Sequence, residues 1–566
     1  MGSHVDTVDL VEYLFARLHQ LGIRSIHGVP GDFNLTALDY LDAAGLRWVG
    51  NCNELNAAYA ADAYARINGV SALVTTYGVG ELSAINAIAG AYAEHIPIVH
   101  IVGQPSTPSQ QAKLLLHHTL GDGDYDIFAD MSAKVSCAVA RITDASRAAS
   151  QIDSVLEECW KQSRPVYIGL PTDLVKAQLD ASRLSKTLDL TLPENDQETE
   201  AAMVDSVLES LRRAKDPVVL VDGCVFRYRA LDEVHDVISA LQIPVYVAPM
   251  GKGAVDEALP IFGGVYSGMT ADEAVRSRIE SSDLVLVFGP IKSDLNTSGF
   301  STRLRRENCI EFHKDSVQVR HSVFPELRLK NALKALHVAL SQHQDLIQTS
   351  RPVAKRPEYP SSKGTAITHD WVWARLSSWF QNGDVIIGET GTSTFGVWEM
   401  RLPKAATVVC QALWCSIGYS VGACQGAALA VKDSKLNTRR TVLFVGDGSF
   451  QVTAQEVSTM IRHNLHPIIF VVCNDGYTIE RFVHGPEASY NDIQPWRYKE
   501  IMTLVGAEPD QYQVHSVQTR DQLEALIADS DFSHPTRLQF VELHMPRDDA
   551  PVALQAMAKA AASRNA

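Results

Sequence analysis

The segments Thr441 to Ser449 (TVLFVGDGS) and Pro467 to Gly476 (PIIFVVCNDG) decide the fold class of this 566-residue chain. Each begins with a short run of β-branched and aromatic residues and ends in glycines beside Asp or Asn, which is typical of a buried parallel strand followed by a loop. The stretch from Gln451 to His463 between them has helical spacing, with these apolar residues on one side: Val452, Val457, Met460 and Ile461. Two strands joined through a helix lie side by side in the same direction, so the sequence predicts an α/β fold.

The two loops are expected to bring oxygen ligands to one edge of this sheet. The Asp447 carboxylate and the Asn474 amide oxygen would meet there, beside a free backbone carbonyl. Such oxygens suit Mg²⁺, which completes its octahedron with phosphate oxygens and water. The amide of Ser449 near a helix start suits an anion. These residues predict a Mg²⁺ and diphosphate site, although two ordinary turns after strands would also contain them.

Charge and composition restrict the class of protein. The chain has 50 Lys and Arg against 66 Asp and Glu, a net charge of −16, which argues against nucleic acid or an anionic membrane as a partner. No apolar run approaches the roughly 18 residues that a membrane helix needs, and residues 1–6 lack a signal-peptide core. Nine dispersed cysteines without a C-x-x-C pair predict reduced core thiols. We expect a cytoplasmic multi-domain enzyme.

Three blocks alternate strand and helix patterns, at residues 1–185, 199–346 and 367–566. The polar stretch 186–198 and the proline-containing stretch 348–366 read as linkers. The clearest predicted strands lie at 72–76, 97–102, 165–168, 217–221, 244–247, 284–288, 385–387, 441–445, 467–472 and 538–543. The predicted fold class is therefore α/β, with three domains that each have a central, mostly parallel sheet covered by helices.

Several polar residues of the first block are candidates for chemistry, and each has a structural alternative. Asp32 could cap a helix that begins at Phe33. Glu54 opens an Ala-rich helix, where a carboxylate is favourable against the helix dipole. His117 and His118 are adjacent, so they would not share one helix or strand face and do not suggest a metal pair. They could be solvated, or could transfer protons near neutral pH.

Two further motifs have competing interpretations. Glu480 lies six residues after Asn474 and could be an exposed helix-start carboxylate paired with Arg481. The segment from Gly78 to Ser83 (GVGELS) raises the possibility of a dinucleotide fingerprint. Its sixth position is Ser rather than Gly or Ala, and the next strand ends at Gln104 without an acidic residue for a ribose. A nicotinamide cofactor is therefore disfavoured.

Six segments together resemble the thiamine-diphosphate-dependent 2-oxo acid decarboxylases, and among these the fungal pyruvate decarboxylases most. They are GVPGDFN (28–34), NELNAAYAAD (53–62), LHHT (116–119), ETGT (389–392), GDGS (446–449) and NDGYTIE (474–480). The resemblance covers essentially the whole chain. It implies an N-terminal pyrimidine-binding domain, a central domain of nucleotide-binding topology and a C-terminal diphosphate-binding domain. It also implies thiamine diphosphate and Mg²⁺ as cofactors.

The resemblance further implies the role of individual residues. Glu54 would hydrogen-bond the pyrimidine ring, and the acid–base set would consist of Asp32, His117, His118 and Glu480. The implied cofactor-binding residues are Glu54, Thr392, Cys415, Ile417, Asp447, Gly448, Ser449, Asn474, Gly476 and Ile479. The implied metal ligands are Asp447, Asn474 and Gly476. Two residues depart from the family pattern: Cys415, where members usually have Gly, and Cys473, where many have a second Asn.

The activity implied by the resemblance is non-oxidative decarboxylation of a 2-oxo acid to an aldehyde and CO₂ through a thiamine diphosphate ylid and enamine, with pyruvate as the first choice. Family members form at least a homodimer, usually a homotetramer, with the cofactor between the pyrimidine domain of one subunit and the diphosphate domain of another. Leu295 and Thr394 differ from pyruvate-selective relatives, so an aromatic or branched-chain 2-oxo acid is an alternative. A catalytically silent paralogue that acts as a structural or regulatory subunit is an alternative that is not an enzyme. A flavin-dependent synthase of the same superfamily is a weaker alternative.

Overall fold

A computed structural model describes residues 7–343, 346, 364–434 and 438–565 of the chain. Residues 1–6 and most of the predicted linker 348–366 lie outside the described residues. Among the described helices, none combines the length and the apolar character needed to cross a membrane.

The N-terminal sheet has six parallel strands whose buried apolar residues face helices on both sides. In spatial order the strands are Arg47–Trp48, Ser25–Gly28, Ser71–Thr76, Ile98–Gln104, Val166–Pro171 and Ala138–Arg141. The helices of this part are Leu10–Gln20, Leu35–Leu38, Glu54–Asn68, Val79–Ala93, Thr107–Gln111, Ile127–Ala133 and Ala145–Gln162. A separate antiparallel pair joins Thr7–Asp9 to Gln178–Asp180, and the 3₁₀ turn Ala181–Ser185 follows.

The middle sheet has seven strands, of which the first five in spatial order are parallel and the last two are added through antiparallel pairing. The strands are Phe262–Val265, Val245–Val247, Pro217–Val221, Leu284–Phe288, Cys309–Phe312, Ser316–Val319 and Ser322–Pro325. The α-helices are Gln197–Arg213, Cys224–Arg227, Leu231–Leu241, Glu273–Glu280 and Leu329–Gln342. The 3₁₀ turns are Pro249–Gly251, Gly268–Thr270 and Arg306–Asn308.

The C-terminal sheet again has six parallel strands, and it carries the two segments that decided the fold class. The strands are Thr407–Val409, Val385–Gly388, Thr441–Gly446, Ile468–Cys473, Leu538–His544 and Tyr512–Val517. The α-helices are His369–Ser377, Thr392–Glu399, Tyr419–Asp433, Asp447–Thr453, Val457–Arg462, Thr478–Val483, Ile501–Leu504, Arg520–Ala528, Ser530–Ser533 and Val552–Asn565. The 3₁₀ turns are Ala454–Glu456, Ser489–Asn491 and Tyr498–Glu500.

The predicted α/β class is confirmed, and every strand predicted above is present with ends that differ by a few residues. The helix predicted for 451–463 is wrong in its start and its continuity. The chain becomes helical at Asp447 and is interrupted by the turn Ala454–Glu456. Val452 is 45% exposed, whereas Val457, Met460 and Ile461 are buried as predicted.

All nine cysteines are free, so the expectation of reduced thiols agrees with the structure. Their placement as core residues holds for Cys159, Cys224, Cys309 and Cys424, which are buried. It is wrong for Cys52, which is exposed in the loop before the helix Glu54–Asn68.

The N-terminal and C-terminal sheets are joined by a tight helix pair. Helix Glu54–Asn68 packs against helix Tyr419–Asp433, and residues of both belong to one apolar core. A Cβ atom added to Gly426 would lie 1.9 Å from the carbonyl oxygen of Ala60. Only a glycine allows this approach of two backbones, so the sequence of the second helix fixes how closely the first one packs.

Candidate active site

Asp447 organises the loop that follows the neighbouring strand. Its buried carboxylate accepts hydrogen bonds from the backbone N–H groups of Gly448 at 2.8 Å and Gly476 at 3.2 Å through Oδ1. Through Oδ2 it accepts from Asn474 at 3.0 Å and Asp475 at 2.8 Å. The structure thus brings Asp447, Asn474 and Gly476 together at the carboxyl ends of strands Thr441–Gly446 and Ile468–Cys473.

The polar atoms at this loop fit a hard divalent cation. The Oδ1 atom of Asn474 is buried and, among the described residues, has no hydrogen-bond partner. Burial raises the pKa of Asp447 to about 6, and its four backbone donors oppose that rise. A nearby positive charge would favour the ionised carboxylate and supply the partner that the amide oxygen lacks.

The space next to this loop is open, as an anionic group would require. A Cβ atom added to Gly446 or to Gly391 would meet no atom within 4 Å. Gly391 has φ +123 and precedes helix Thr392–Glu399, whose first residue Thr392 is buried. Ser449 lies in the first turn of helix Asp447–Thr453.

Asp32, His117 and His118 form a second cluster, in which one ligand atom of each residue lies within 4.8 Å of the others. His117 Nε2 is 2.7 Å from Asp32 Oδ2, and the His117 ring stacks on Phe33 with centroids 5.0 Å apart. His118 has φ +64, a left-handed conformation that turns the adjacent rings toward each other, with centroids 4.6 Å apart. Both histidines lie in a loop, so the argument that they would not share a helix or strand face does not keep their rings apart.

Asp32 does not cap a helix, which corrects the structural alternative proposed for it. The helix begins at Leu35 rather than Phe33, and its N-cap residue is Asn34. The Asp32 carboxylate is instead directed to His117. That partner is distant in sequence, so local spacing could not reveal it.

Glu54 is the first residue of its helix, as the sequence predicts, and Asn53 caps that helix. The Asn53 side chain accepts a hydrogen bond from Asn56 N at 2.8 Å. Glu54 is half-buried, and this burial raises the pKa of its carboxyl group. A Cβ atom on Gly80 would lie 3.1 Å from Glu54 Oε1, so the glycine leaves room beside the carboxyl group.

Cys415 and Ile417 lie in the loop between strand Thr407–Val409 and helix Tyr419–Asp433. Cys415 has φ +54, a conformation that favours glycine, and Ile417 is half-buried. Burial raises the pKa of the Cys415 thiol to about 12, so this thiol stays protonated at neutral pH. The geometry agrees with the Gly that family members usually have at this position.

Glu94 holds the segment that precedes Cys415, and the sequence analysis did not identify it. Its buried Oε1 atom accepts backbone N–H hydrogen bonds from Ala412 at 2.9 Å, Leu413 at 2.8 Å and Trp414 at 3.3 Å. Its other carboxylate oxygen lies 3.7 Å from Arg66 and 3.8 Å from Arg227 of the middle domain. In the sequence, Glu94 could have been noticed only as a single acidic residue between an Ala-rich helix and an apolar strand.

Asn51 is a second residue that the sequence analysis missed. Its amide nitrogen donates to Glu456 Oε1 at 2.7 Å and Gln425 Oε1 at 3.2 Å, and its amide oxygen accepts from Gly28 N at 3.1 Å. Glu456 and Gln425 belong to the C-terminal domain and are buried. Asn51 therefore ties the start of the Glu54 helix and the end of strand Ser25–Gly28 to that domain.

Glu480 lies apart from the other acid–base candidates in this chain. It is exposed on helix Thr478–Val483, and in the part of the chain that the structure describes no hydrogen bond or ion pair joins it to Asp32, His117 or His118. The alternative pairing with Arg481 is wrong, because Arg481 pairs with Asp492 at 3.1 Å.

The two residues that differ from pyruvate-selective relatives, Leu295 and Thr394, lie in different surroundings. Leu295 and Ile479 pack in one apolar cluster with Phe482 and Met557 of the C-terminal helix. Thr394 is buried, and its hydroxyl donates to the carbonyl oxygen of Glu389 at 2.7 Å. Only Leu295 therefore shares an apolar surface with a proposed cofactor-binding residue.

Comparison with known proteins gives the family of the chain. It matches the thiamine pyrophosphate enzyme N-terminal TPP binding domain at residues 8–128, the central domain at 204–340 and the C-terminal TPP binding domain at 389–537. Pyruvate decarboxylases of Aspergillus terreus and Aspergillus fumigatus are 56% and 55% identical over 562 and 560 residues, which cover 99% of this chain and 98% of each relative. Pyruvate decarboxylase isozyme 3 of Saccharomyces cerevisiae is 45% identical over 564 residues, 99% of both chains. The chain belongs to the thiamine pyrophosphate enzyme family, in the group that includes these fungal pyruvate decarboxylases.

Proposed function

We propose that this protein decarboxylates pyruvate to acetaldehyde and CO₂ with thiamine diphosphate and Mg²⁺ as cofactors. Full-length similarity to curated pyruvate decarboxylases supports the reaction. The structural observation that carries the proposal is the Oδ1 atom of Asn474, which is buried beside the Asp447 carboxylate and has no hydrogen-bond partner among the residues that the structure describes. A buried oxygen without a partner costs free energy, and a bound cation would remove that cost.

The proposed metal ligands are the Asp447 carboxylate, Asn474 Oδ1 and the backbone carbonyl of Gly476. We assign the diphosphate contacts to Gly448, Ser449 and Thr392, which follow within three residues of Gly446 and Gly391, the two glycines beside open space. The remaining cofactor contacts are assigned to Glu54, to the backbone carbonyl of Cys415, and to Ile417 and Ile479. These assignments give residues 1–185 the pyrimidine-binding role, residues 367–566 the diphosphate-binding role and residues 199–346 a central regulatory-type role.

Thiamine diphosphate, when bound, supplies the electron sink that decarboxylation of a 2-oxo acid requires. Glu54 would hold a proton on its carboxyl group beside the pyrimidine, a role favoured by the raised pKa that its burial causes. The overall reaction takes up one proton. Asp32, His117 and His118 would move it as a coupled group, because their polar atoms lie within 4.8 Å of one another, and Glu480 would complete the set.

We propose a homodimer as the smallest active form and a homotetramer as the complete assembly. Glu54 and the Asp32 cluster lie on one domain, while Asp447 and Glu480 lie on another, so a second subunit could complete each site. Four apolar side chains are exposed in the single chain, which supports a surface that a second subunit covers: Val79, Leu82, Leu413 and Trp414.

The free cysteines and net negative charge support a cytoplasmic enzyme that binds neither nucleic acid nor membranes.

A larger 2-oxo acid, aromatic or branched-chain, is the second candidate substrate. The observation in its favour is Leu295, which packs with Ile479 and Phe482 where a Phe would take more volume. A difference of about one methylene in such a pocket changes selectivity roughly 10–200-fold, which is enough to broaden the substrate range.

The test is kcat/KM for pyruvate and for phenylpyruvate, with thiamine diphosphate and Mg²⁺ present and aldehyde detected by a coupled dehydrogenase. We expect a preference for pyruvate, and an activity about 10²–10⁴-fold lower for Glu54→Gln with unchanged circular dichroism. A preference for phenylpyruvate would favour the second substrate. Turnover of neither compound would contradict the proposal and favour a catalytically silent paralogue.

A further inference from the structure

Arg481 is a buried cation that contacts the backbone of the proposed metal loop. Its side chain is only 5% exposed and lies on helix Thr478–Val483. One terminal nitrogen donates to the carbonyl oxygen of Asn474 at 3.4 Å. The other donates to the carbonyl oxygen of Asp475 and, at 3.3 Å, to that of Asn491. Hydrogen bonds from a charged donor are stronger than neutral ones, so these contacts restrain the loop.

The loop needs such restraint because its backbone is unusual. Asp475 has φ +60 and Gly476 has φ +115, two successive residues in the left-handed region. A non-glycine residue in this region costs free energy that the surrounding structure must offset. Space is also tight, since a Cβ atom on Gly476 would lie 2.3 Å from the Asn491 carbonyl oxygen and 3.2 Å from Arg481.

The loop is held from two opposite sides. Its N–H groups at Asn474, Asp475 and Gly476 all donate to the Asp447 carboxylate. Its carbonyl oxygens at Asn474 and Asp475 accept from Arg481. Without the second set of contacts the peptide planes could rotate, and the oxygens assigned to the metal would turn with them.

We propose that Arg481 is a positioning residue that holds the Asn474–Gly476 loop in the orientation that binds a divalent cation. This inference rests on the metal site of the proposed function. Arg481 touches no proposed ligand oxygen of the metal, since it binds the backbone carbonyls of Asn474 and Asp475 and not the Asn474 side chain or the Gly476 carbonyl. It acts through the backbone between those ligands.

A second physical effect would change the Mg²⁺ affinity in the opposite direction, so one measurement can distinguish the two. A buried guanidinium near a Mg²⁺ site also repels the cation. If repulsion dominated, removal of the Arg481 charge would tighten Mg²⁺ binding. If positioning dominates, the same change weakens it, because partners of this kind are typically worth about 10–100-fold in metal affinity.

The chain offers a matched control for the charge. Arg547 lies 3.3 Å from Asp492, the same carboxylate that pairs with Arg481 at 3.1 Å. Arg547 is more exposed, and none of its hydrogen bonds reaches the loop in the described structure. Arg547→Met therefore removes one positive charge from the same ion-pair cluster and leaves the loop contacts in place.

The experiment titrates Mg²⁺ into the metal-free full-length protein at a fixed, saturating concentration of thiamine diphosphate and follows tryptophan fluorescence. We expect a Mg²⁺ Kd about 10–100-fold higher for Arg481→Met, a smaller increase for Arg481→Lys, which keeps the charge and part of the donor set, and a change of less than about twofold for Arg547→Met. Circular dichroism of the metal-free proteins checks that each variant folds. If Arg481→Met does not fold, Arg481→Lys against Arg547→Met decides the question.

Unchanged or tighter Mg²⁺ binding by the folded Arg481 variants would overturn the proposal. Asp447→Ala separates this result from failure of the proposed function. Loss of binding in Asp447→Ala with normal binding in Arg481→Met would reject only the positioning role. Equal Mg²⁺ binding by the parent protein and Asp447→Ala would show that the assigned metal site itself is wrong.

Discussion

Cys415 occupies a backbone position that suits glycine, since its φ is +54. A left-handed conformation costs a non-glycine residue about 1–2 kcal/mol, and glycine costs about 0.5–1 kcal/mol in lost unfolded-state freedom. The two effects oppose each other, and their central values differ by less than about 1 kcal/mol. The side chain contributes one weak contact, from Sγ to the Gln411 carbonyl oxygen at 3.6 Å.

We predict that Cys415→Gly changes the free energy of unfolding by less than about 1 kcal/mol and leaves kcat/KM within a few-fold, because the assigned role belongs to the backbone carbonyl. Cys415→Val, with a β-branched side chain at positive φ, should be clearly less stable than either. Denaturant unfolding and the coupled aldehyde assay measure both quantities. A large loss of activity in the folded Cys415→Gly variant would show that the thiol itself is needed.

At the residue scale, sequence patterns named candidate residues but not the partners of their side chains. Asp32 and His117 were candidates from the motifs, but their contact joins residues that are far apart in the chain. Arg481 has a carboxylate next to it in sequence, yet its bonds go to backbone carbonyls and to Asp492. Side-chain partners depend on tertiary structure, which a single sequence does not display.

At the scale of one element, helix Val79–Ala93 begins at a buried carboxylate. Glu81 accepts hydrogen bonds from Gly78 N at 2.9 Å and from the Tyr167 hydroxyl at 3.1 Å. Burial raises the pKa of Glu81 from 4.5 to about 7. Between these values the folded protein binds more protons at this site than the unfolded chain, so the free energy of unfolding decreases as pH rises.

We therefore predict that Glu81→Gln flattens the pH dependence of stability. Below about pH 4.5 the carboxyl group is protonated in both states and the substitution should matter little. Above pH 7 the variant should be more stable than the parent by up to about 3 kcal/mol, less any loss from changed hydrogen bonds. Thermal midpoints from pH 5 to pH 8 test this. Parallel curves for parent and variant would mean that Glu81 is ionised at little cost in the folded protein.

Elements were predictable where their apolar pattern was strong. The buried parallel strands consist of short β-branched runs between turn residues, and their positions follow from that composition. The helix after Asp447 was placed too late because glycine and aspartate locally favour a turn. Its break at Ala454–Glu456 also had no local signal, since Glu456 is directed to Asn51 in another domain.

At the scale of the whole molecule, a buried ion pair connects the middle and C-terminal domains. Lys252 Nζ lies 2.7 Å from Glu257 Oε1 and donates to the Met400 carbonyl oxygen, while Glu257 Oε2 accepts from Leu402 N at 3.1 Å. Both side chains are almost fully buried. The contacts lie directly after helix Thr392–Glu399, whose first residue is assigned to the cofactor.

We predict that Lys252→Met destabilises the protein by about 3–5 kcal/mol, because it leaves a buried carboxylate without its cation. The double variant Lys252→Met with Glu257→Gln should recover part of this loss. Arg213→Met, which removes an exposed pair with Glu209, should cost less than about 1 kcal/mol and serves as the control. Denaturant unfolding of the three variants measures the differences. A Lys252→Met variant as stable as the control would show that water reaches the Glu257 site.

Connections between domains were the part of the structure that the sequence did not predict. The contacts of Glu94, Asn51 and Lys252 each join residues that lie far apart in the chain. Each involves a polar side chain whose neighbours in the sequence form no recognisable motif. Periodicity reports which face of an element is buried, but it does not report which domain covers that face.

The close approach of Gly426 to Ala60 has a consequence for how such a protein can change over evolution. Because the two backbones touch, the N-terminal and C-terminal domains each fit only a partner whose helix can approach as closely. Recombination that replaced the C-terminal domain with one that lacks glycine at position 426 would place a side chain against the Ala60 carbonyl oxygen. The two segments are separated by the whole middle domain in the gene, yet they must be inherited as a matched pair.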